Sequence, residues 1–205
     1  MSPTDTSEKN LESLIVQSLI SEAGYVEGDS KDYDRDHAVD LIKLLEFLLS
    51  TQPQAVNQLG LDGEGLKLQQ FLARLQGEIA KRGVIDVLRN GINHGPAHID
   101  VFYGTPSPGN LKAAELFAAN VFSVTRQLHY SKDETQLAFD LCLFINGLPI
   151  ATFELKNSLT KQTVEDACPA VQTEPHPSES LSSNSHAAWL SPTNLLIGCF
   201  FRKSI

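Results

Sequence analysis

Three charged side chains lie within two apolar stretches near the middle of the chain. Asp140 belongs to residues 136–145, and Glu154 and Lys156 belong to residues 148–156. Both stretches are rich in aliphatic and aromatic residues, which predicts two strands that are buried on both faces. A carboxylate or an ammonium group is costly to bury unless it meets an opposite charge or a metal ion. The pattern therefore favours a chemical role for these three residues.

The two stretches are joined by Asn146-Gly147, a strong short-range signal for a β-hairpin. Side chains alternate along a strand, so Glu154 and Lys156 are expected on one face, and Phe153 on the other.

The type of turn decides whether Asp140 joins that face. A two-residue turn would set Asp140 opposite Phe153, on the wrong side of the sheet. A three-residue loop with Gly147 in the left-handed conformation would set it opposite Thr152, diagonal to Glu154, with Cβ atoms roughly 7–8 Å apart. We predict this second arrangement, with a glycine bulge at Gly147.

Two carboxylates at that separation can bind a common divalent cation, and oxygen ligands supplemented by water suit Mg²⁺. Asp140 and Glu154 are the predicted ligands. Lys156 would then orient a water molecule or stabilise negative charge on a phosphate. The predicted chemistry is hydrolysis of a phosphodiester bond. The alternative is an ordinary ion network at the protein surface, because short motifs of this kind also arise by chance.

The elements around these residues predict an α/β domain. Apolar residues with helical spacing indicate three amino-terminal helices: one starting near residue 10 and ending at Gly24, one capped by Asp36 and closed by Pro53, and one over residues 64–81 ended by Gly83. The remaining predictions are strands at residues 98–103 and 121–130 and helices at residues 112–119 and from residue 163. We expect a mixed central sheet flanked by helices.

Composition limits the class of protein without naming it. The 205 residues carry a net charge of −9, and residues 1–50 hold eleven acidic and four basic side chains. The rest of the chain is near neutral, which neither requires nor forbids DNA. No apolar run is long enough to span a membrane and no signal peptide is visible, so a cytoplasmic protein is expected. Cys142, Cys168 and Cys199 are too scattered for a disulfide framework or a metal knuckle.

Longer motifs surround the three charged residues. They are FSVTRQLHY at residues 122–130, FD at 139–140, FINGLPIATFELKN at 144–157 and LTKQTVEDA at 159–167. Together they resemble the nuclease block of the restriction (R) subunit of type I restriction-modification enzymes. The Asp…Glu-Xaa-Lys pattern within them resembles the PD-(D/E)xK restriction-endonuclease-like fold.

That resemblance implies Mg²⁺-dependent cleavage of double-stranded DNA, with Asp140 and Glu154 as metal ligands and Lys156 as the catalytic lysine. In that family an ATP-dependent motor follows on the same chain, and the methyltransferase and specificity subunits are partners. Relatives with this fold often add an acidic residue from the preceding helices. Glu12 or Glu22 would fill that role, although each fits a solvated helix position better.

Three more residues are candidate DNA contacts. Arg126 suits either a DNA phosphate or a carboxylate of the protein, and the structural role is favoured. Asn157 and Gln162 follow the motif closely enough to help position DNA.

The resemblance stops at Ala167. Residues 168–205 are rich in serine and proline and lack sustained periodicity, so we expect a nuclease domain at 1–167 and an atypical, disordered or out-of-frame tail at 168–205. The chain also lacks a Gly-Xaa₄-Gly-Lys-Ser/Thr phosphate loop, so ATP would bind only in motor domains absent from it. The alternatives to an active nuclease domain are a fragment that is inactive on its own and a non-catalytic module that binds DNA or docks other subunits.

Overall fold

The computed structural model describes residues 8–63, 65–131, 137–157, 185–190 and 195–202. Side chains are described for residues 9–63, 65–131 and 137–155. Within these ranges the helices are α1 (Glu8–Ala23), α2 (Leu41–Thr51), α3 (Pro53–Leu59), α4 (Leu66–Arg82), α5 (Val84–Asn90) and α6 (Leu111–Ala118). The strands are β1 (Val26–Glu27), β2 (Tyr33–Asp34), β3 (Val39–Asp40), β4 (Ile92–His94), β5 (Ala97–Ile99), β6 (Phe122–His129), β7 (Ala138–Ile145), β8 (Leu148–Asn157), β9 (Ser185–Leu190) and β10 (Leu195–Arg202).

The main sheet of the described residues has the strand order β1-β6-β7-β8-β10-β9. Strand β1 runs parallel to β6, and the other neighbours are antiparallel. The sheet is therefore mixed and is flanked by helices, which confirms the predicted α/β class. No helix within the described ranges is both long enough and apolar enough to cross a membrane.

The amino-terminal helices form largely where the apolar spacing predicts them. Helix α4 ends at Gly83, which has a φ of 85°. The predicted cap of the second helix is wrong: Asp40, not Asp36, accepts the capping hydrogen bond from the backbone N–H of Lys43 at 3.0 Å. Asp36 lies in the turn between β2 and β3, where its N–H donates to Asp34. The predicted strand at 98–103 is shorter than expected, because β5 ends at Ile99.

Apolar side chains hold the sheet on both faces. On one face α1 contributes Val16, which packs in a buried cluster with Val124, Leu141 and Leu155. On the other face the segment from Tyr33 to Ala38 covers a second buried cluster, which contains Leu128, Cys142 and Phe144. The largest cluster joins α2–α5 to the turn between β7 and β8 through Leu148. Burial raises the pKa of the Cys142 thiol, as expected for an unreactive core cysteine.

The hairpin of β7 and β8 differs from the predicted one. Ile145 pairs directly with Leu148, so the turn has two residues, and Asn146 (φ 49°) and Gly147 (φ 78°) are both left-handed. These angles are typical of a type I′ turn, and the predicted glycine bulge is wrong. The extra residue is Ile150 instead, because Phe144 pairs with Pro149 and Leu143 with Ala151. Proline has no N–H for the ladder, which explains an irregularity at this point.

The turn is tightly held by its surroundings. The Asn146 side chain is fully buried; it accepts a hydrogen bond from the N–H of Val121 at 2.6 Å and donates to the Val101 carbonyl and to Asn120, each at 2.9 Å. The N–H of Asp40 donates to the Gly147 carbonyl at 2.8 Å. The start of α2 and the loops before β6 thus hold the hairpin at its closed end.

The residues after 157 are described only as strands β9 and β10. Strand β10 pairs with β8, with Gly198 opposite Glu154, and β9 pairs with the outer edge of β10. The predicted helix from residue 163 lies outside the described residues. The division into residues 1–167 and an atypical tail stays a prediction.

We predict that Gly147→Ala destabilises the protein by about 1–3 kcal/mol more than Gly24→Ala. Both glycines have a φ above 70°, so alanine is strained equally at each. Only at position 147 would the new Cβ collide with the carbonyl oxygen of Asp40 and lie 2.7 Å from the N of Leu44, whereas nothing lies within 4 Å at position 24. Urea unfolding of both variants measures the difference, and equal losses would contradict this account of the turn.

A second prediction concerns pH. Burial raises the pKa of the Asp40 carboxyl above its usual value of 3.8, although the Lys43 N–H opposes the shift. The folded state then binds more protons than the unfolded state. The contribution of this group to the free energy of unfolding therefore falls as the pH rises from about 4 through the pKa of the folded state. Asp40→Asn keeps a capping side chain and removes this charge. Urea unfolding at several pH values should show a smaller fall in stability with rising pH for the variant, and an unchanged slope would contradict the assignment.

Candidate active site

Asp140 and Glu154 lie beside each other on neighbouring strands. Asp140 directly precedes Leu141, and Glu154 directly follows Phe153, in the pair of the β7–β8 ladder that lies furthest from the turn. Continued by one position, that register sets Asp140 opposite Glu154. The Asp140 carboxylate accepts a hydrogen bond from the backbone N–H of Leu155 at 2.6 Å, which fixes the two strands together at this point.

Gln127 lies on the other side of Asp140. It falls between the pairs Arg126–Leu141 and Leu128–Phe139 in the ladder of β6 and β7, and so lies across from Asp140. Its side-chain Nε2 donates to Asp140 Oδ1 at 3.2 Å and to Glu12 Oε2 at 3.1 Å. One amide group therefore bridges two carboxylates.

Glu12 reaches this group from α1. It is only 8% exposed, since the helix packs against the sheet through the neighbouring position Val16. Arg126 Nη1 lies 3.9 Å from Glu12 Oε1, and Arg126 Nε lies 3.1 Å from Glu27 Oε1. The expectation that Glu12 is solvated is wrong, whereas Glu22 is exposed as expected and accepts a hydrogen bond from Ser18.

The other predicted site residues are described less fully. Lys156 and Asn157 are part of β8, opposite Leu196 and Leu195 of β10, and their side chains lie outside the described set. Gln162 lies wholly outside it. Arg126 contacts the carboxylates of Glu12 and Glu27, which is the structural role that the sequence analysis favoured.

The donor set fits a hard cation. Within the described residues no three His, Cys, Asp or Glu side chains come together as a metal-binding group. Mg²⁺ needs fewer protein ligands than that, because it is usually bound by one or two carboxylates together with water and substrate phosphates. Asp140 and Glu154 provide two such carboxylates on adjacent strands. Each carboxylate oxygen has a second lone pair, so the hydrogen bonds made by Asp140 leave room for a cation.

Comparison with known proteins gives one family. A family model described as "Type I restriction enzyme R protein N terminus" matches residues 5–191. The α/β fold with its mixed, helix-flanked sheet is consistent with the nuclease-like fold of such a domain. The chain belongs to this family. No curated protein and no solved structure gives a significant match.

Sequence reasoning missed Gln127 and undervalued Glu12. Glu12, Val16 and Leu19 follow each other at spacings of four and three residues, which places them on one helix face. An acidic residue on the apolar face of the helix was therefore the signal in the sequence that could have indicated a buried carboxylate. Gln127 gave no comparable signal, because its role depends on strand pairing.

We predict that Glu12→Ala destabilises the protein by about 1–3 kcal/mol, because it removes a buried hydrogen-bonded carboxylate and leaves Arg126 with one acidic partner fewer. The matched control is Glu22→Ala on the same helix, where an exposed side chain is lost and the change should stay within about 0.5 kcal/mol. Chemical denaturation of both variants gives the two values. A loss at position 12 no larger than at position 22 would contradict the burial of Glu12.

Proposed function

We propose that this domain performs Mg²⁺-dependent endonucleolytic cleavage of double-stranded DNA for a type I restriction enzyme. The observation that carries the proposal is the adjacent placement of Asp140 and Glu154 on β7 and β8, in a chain that belongs to the family of R-protein amino termini. Lys156 follows two residues after Glu154 in the same strand. The Asp…Glu-Xaa-Lys pattern thus occurs on paired strands, as this chemistry requires.

Asp140 and Glu154 would hold the Mg²⁺. When bound, the cation neutralises charge on the scissile phosphate and lowers the pKa of water near it. Asp140 is restrained from two sides by Gln127 and by the Leu155 N–H, and so offers a fixed acceptor. Glu154 is half-buried, which limits the solvent around the pair.

Lys156 would supply the positive charge next to the reacting phosphate. An ammonium group there stabilises negative charge that builds up on the phosphate oxygens as the water attacks. It would also hold the attacking water by a hydrogen bond from Nζ. The products would be a 5′ or 3′ phosphate on one strand end and a hydroxyl on the other.

The proposal also includes DNA contacts and partners. Asn157 and Gln162 are proposed to contact the DNA backbone beside the site. Arg126 is proposed to contact phosphate only where DNA draws it away from Glu12 and Glu27. The family supports a setting in the cytoplasm with methyltransferase and specificity subunits, in which ATP serves the motor domains of the R protein.

The proposal predicts that Lys156→Ala lowers the rate of plasmid cleavage in Mg²⁺ by about 100-fold or more, because charge stabilisation at the reacting phosphate is lost. Glu154→Gln should have a similar effect through loss of a ligand. Lys112→Ala and Glu115→Gln, which alter exposed side chains on α6, are matched controls and should cleave like the unaltered protein.

The assay uses supercoiled plasmid with the full chain, alone and after assembly with methyltransferase, specificity and motor components. Cleavage that survives both Lys156→Ala and Glu154→Gln would contradict the proposed site. Absence of cleavage in every assembly, together with retained binding of DNA or of the other subunits, would favour the non-catalytic module.

A further inference from the structure

Gln127 has an unusual backbone conformation for its position. Its φ is +46° in the middle of β6, a region that residues other than glycine rarely adopt. The side chain is exposed, so burial of an apolar group does not hold it there. Left-handed residues of this kind persist where their surroundings impose them, and they cluster at functional sites.

The left-handed residue reverses the alternation of the strand. Arg126 lies on the α1 side, where it meets Glu12, whereas Leu128 is buried in the cluster on the opposite face with Cys142. In a regular strand residues 126 and 128 would share a face. Gln127 at the crossover reaches both the acid on α1 and the acid on β7.

The contacts form a connected series. Glu27 and Glu12 restrain Arg126, Glu12 accepts from Gln127, and Gln127 donates to Asp140. The same series keeps two like charges apart, because an amide N–H₂ group stands between the carboxylates of Glu12 and Asp140. Groups that hold a metal ligand in this way commonly change metal affinity 10- to 100-fold when they are removed.

We propose that Gln127 is a positioning residue for Asp140: its amide orients the carboxylate toward the cation and links it to Glu12 and Arg126. The inference rests on the proposed function, since it assigns the Asp140 carboxylate to a divalent cation. Gln127 itself contacts neither DNA nor the cation in this account. Its left-handed backbone is the conformation that lets one side chain reach both acids.

The test uses Gln127→Gly and Ala38→Gly in the full chain. Ala38 is also left-handed, with a φ of +55°, so glycine relieves the same kind of strain at both positions. Only the change at position 127 removes the bridge between Glu12 and Asp140. Gln127→Asn is a second variant, because asparagine tolerates the left-handed region but its side chain is one methylene too short to reach both acids.

Binding of Mn²⁺ is measured by electron paramagnetic resonance of the free ion, and the melting temperature is recorded for each variant. We expect both Gln127 variants to unfold cooperatively and to bind Mn²⁺ about 10- to 100-fold more weakly, with Ala38→Gly unchanged. A purely structural role, in which the conformation serves only to bury Leu128, would instead leave Mn²⁺ affinity unchanged.

The outcomes separate the two proposals. Mn²⁺ binding by the unaltered chain and by both Gln127 variants with equal affinity overturns the inference and leaves the proposed function standing. Failure of the unaltered chain to bind Mn²⁺ overturns the proposed metal site and the inference with it. Weaker binding by both Gln127 variants, while each still unfolds cooperatively, supports the positioning role.

Discussion

The register of β7 against β8 depends on how the Asn146-Gly147 turn is held. Asn146 is buried and its side chain is hydrogen-bonded to Val101 and to the segment Asn120–Val121, and Gly147 lies against the backbone of Asp40 and Leu44 with no space for a Cβ. A shift of one residue in a strand moves every side chain to the opposite face. The turn and the bulge at Ile150 together therefore decide which residues meet at the other end of the hairpin, where Asp140 and Glu154 lie.

The charges around that open end are arranged in a series of contacts. Asp140 is held by a backbone N–H from β8 and by Gln127 from β6, and Gln127 is held by Glu12 from α1. Three strands thus meet at the Asp140 carboxylate, and α1 is linked to it through Gln127. The negative net charge, which makes DNA binding unexpected, lies mainly in residues 1–50. Two of the acidic side chains there, Glu12 and Glu27, contact Arg126 and are partly neutralised by it.

Local sequence patterns predicted helices α1, α2, α4 and α6, the hairpin and the central strands β6–β8, because apolar spacing and an Asn-Gly pair act over short distances. The short helices α3 and α5 were not predicted. They failed where the answer depends on distant contacts. The turn has two residues rather than three, and the bulge at Ile150 shifts the register so that Asp140 falls opposite Glu154 rather than Phe153. This shift could not be foreseen without knowing how Pro149 is paired. The capping role of Asp40 and the burial of Glu12 likewise depend on packing.

The central claim is that Asp140 and Glu154 bind one divalent cation. Crystals of the full chain soaked in Mn²⁺, with data collected at a wavelength where manganese scatters anomalously, test it most directly. The account predicts an anomalous peak about 2.0–2.3 Å from oxygens of both carboxylates. A well-occupied peak elsewhere, with both carboxylates free of metal at millimolar Mn²⁺, would contradict it.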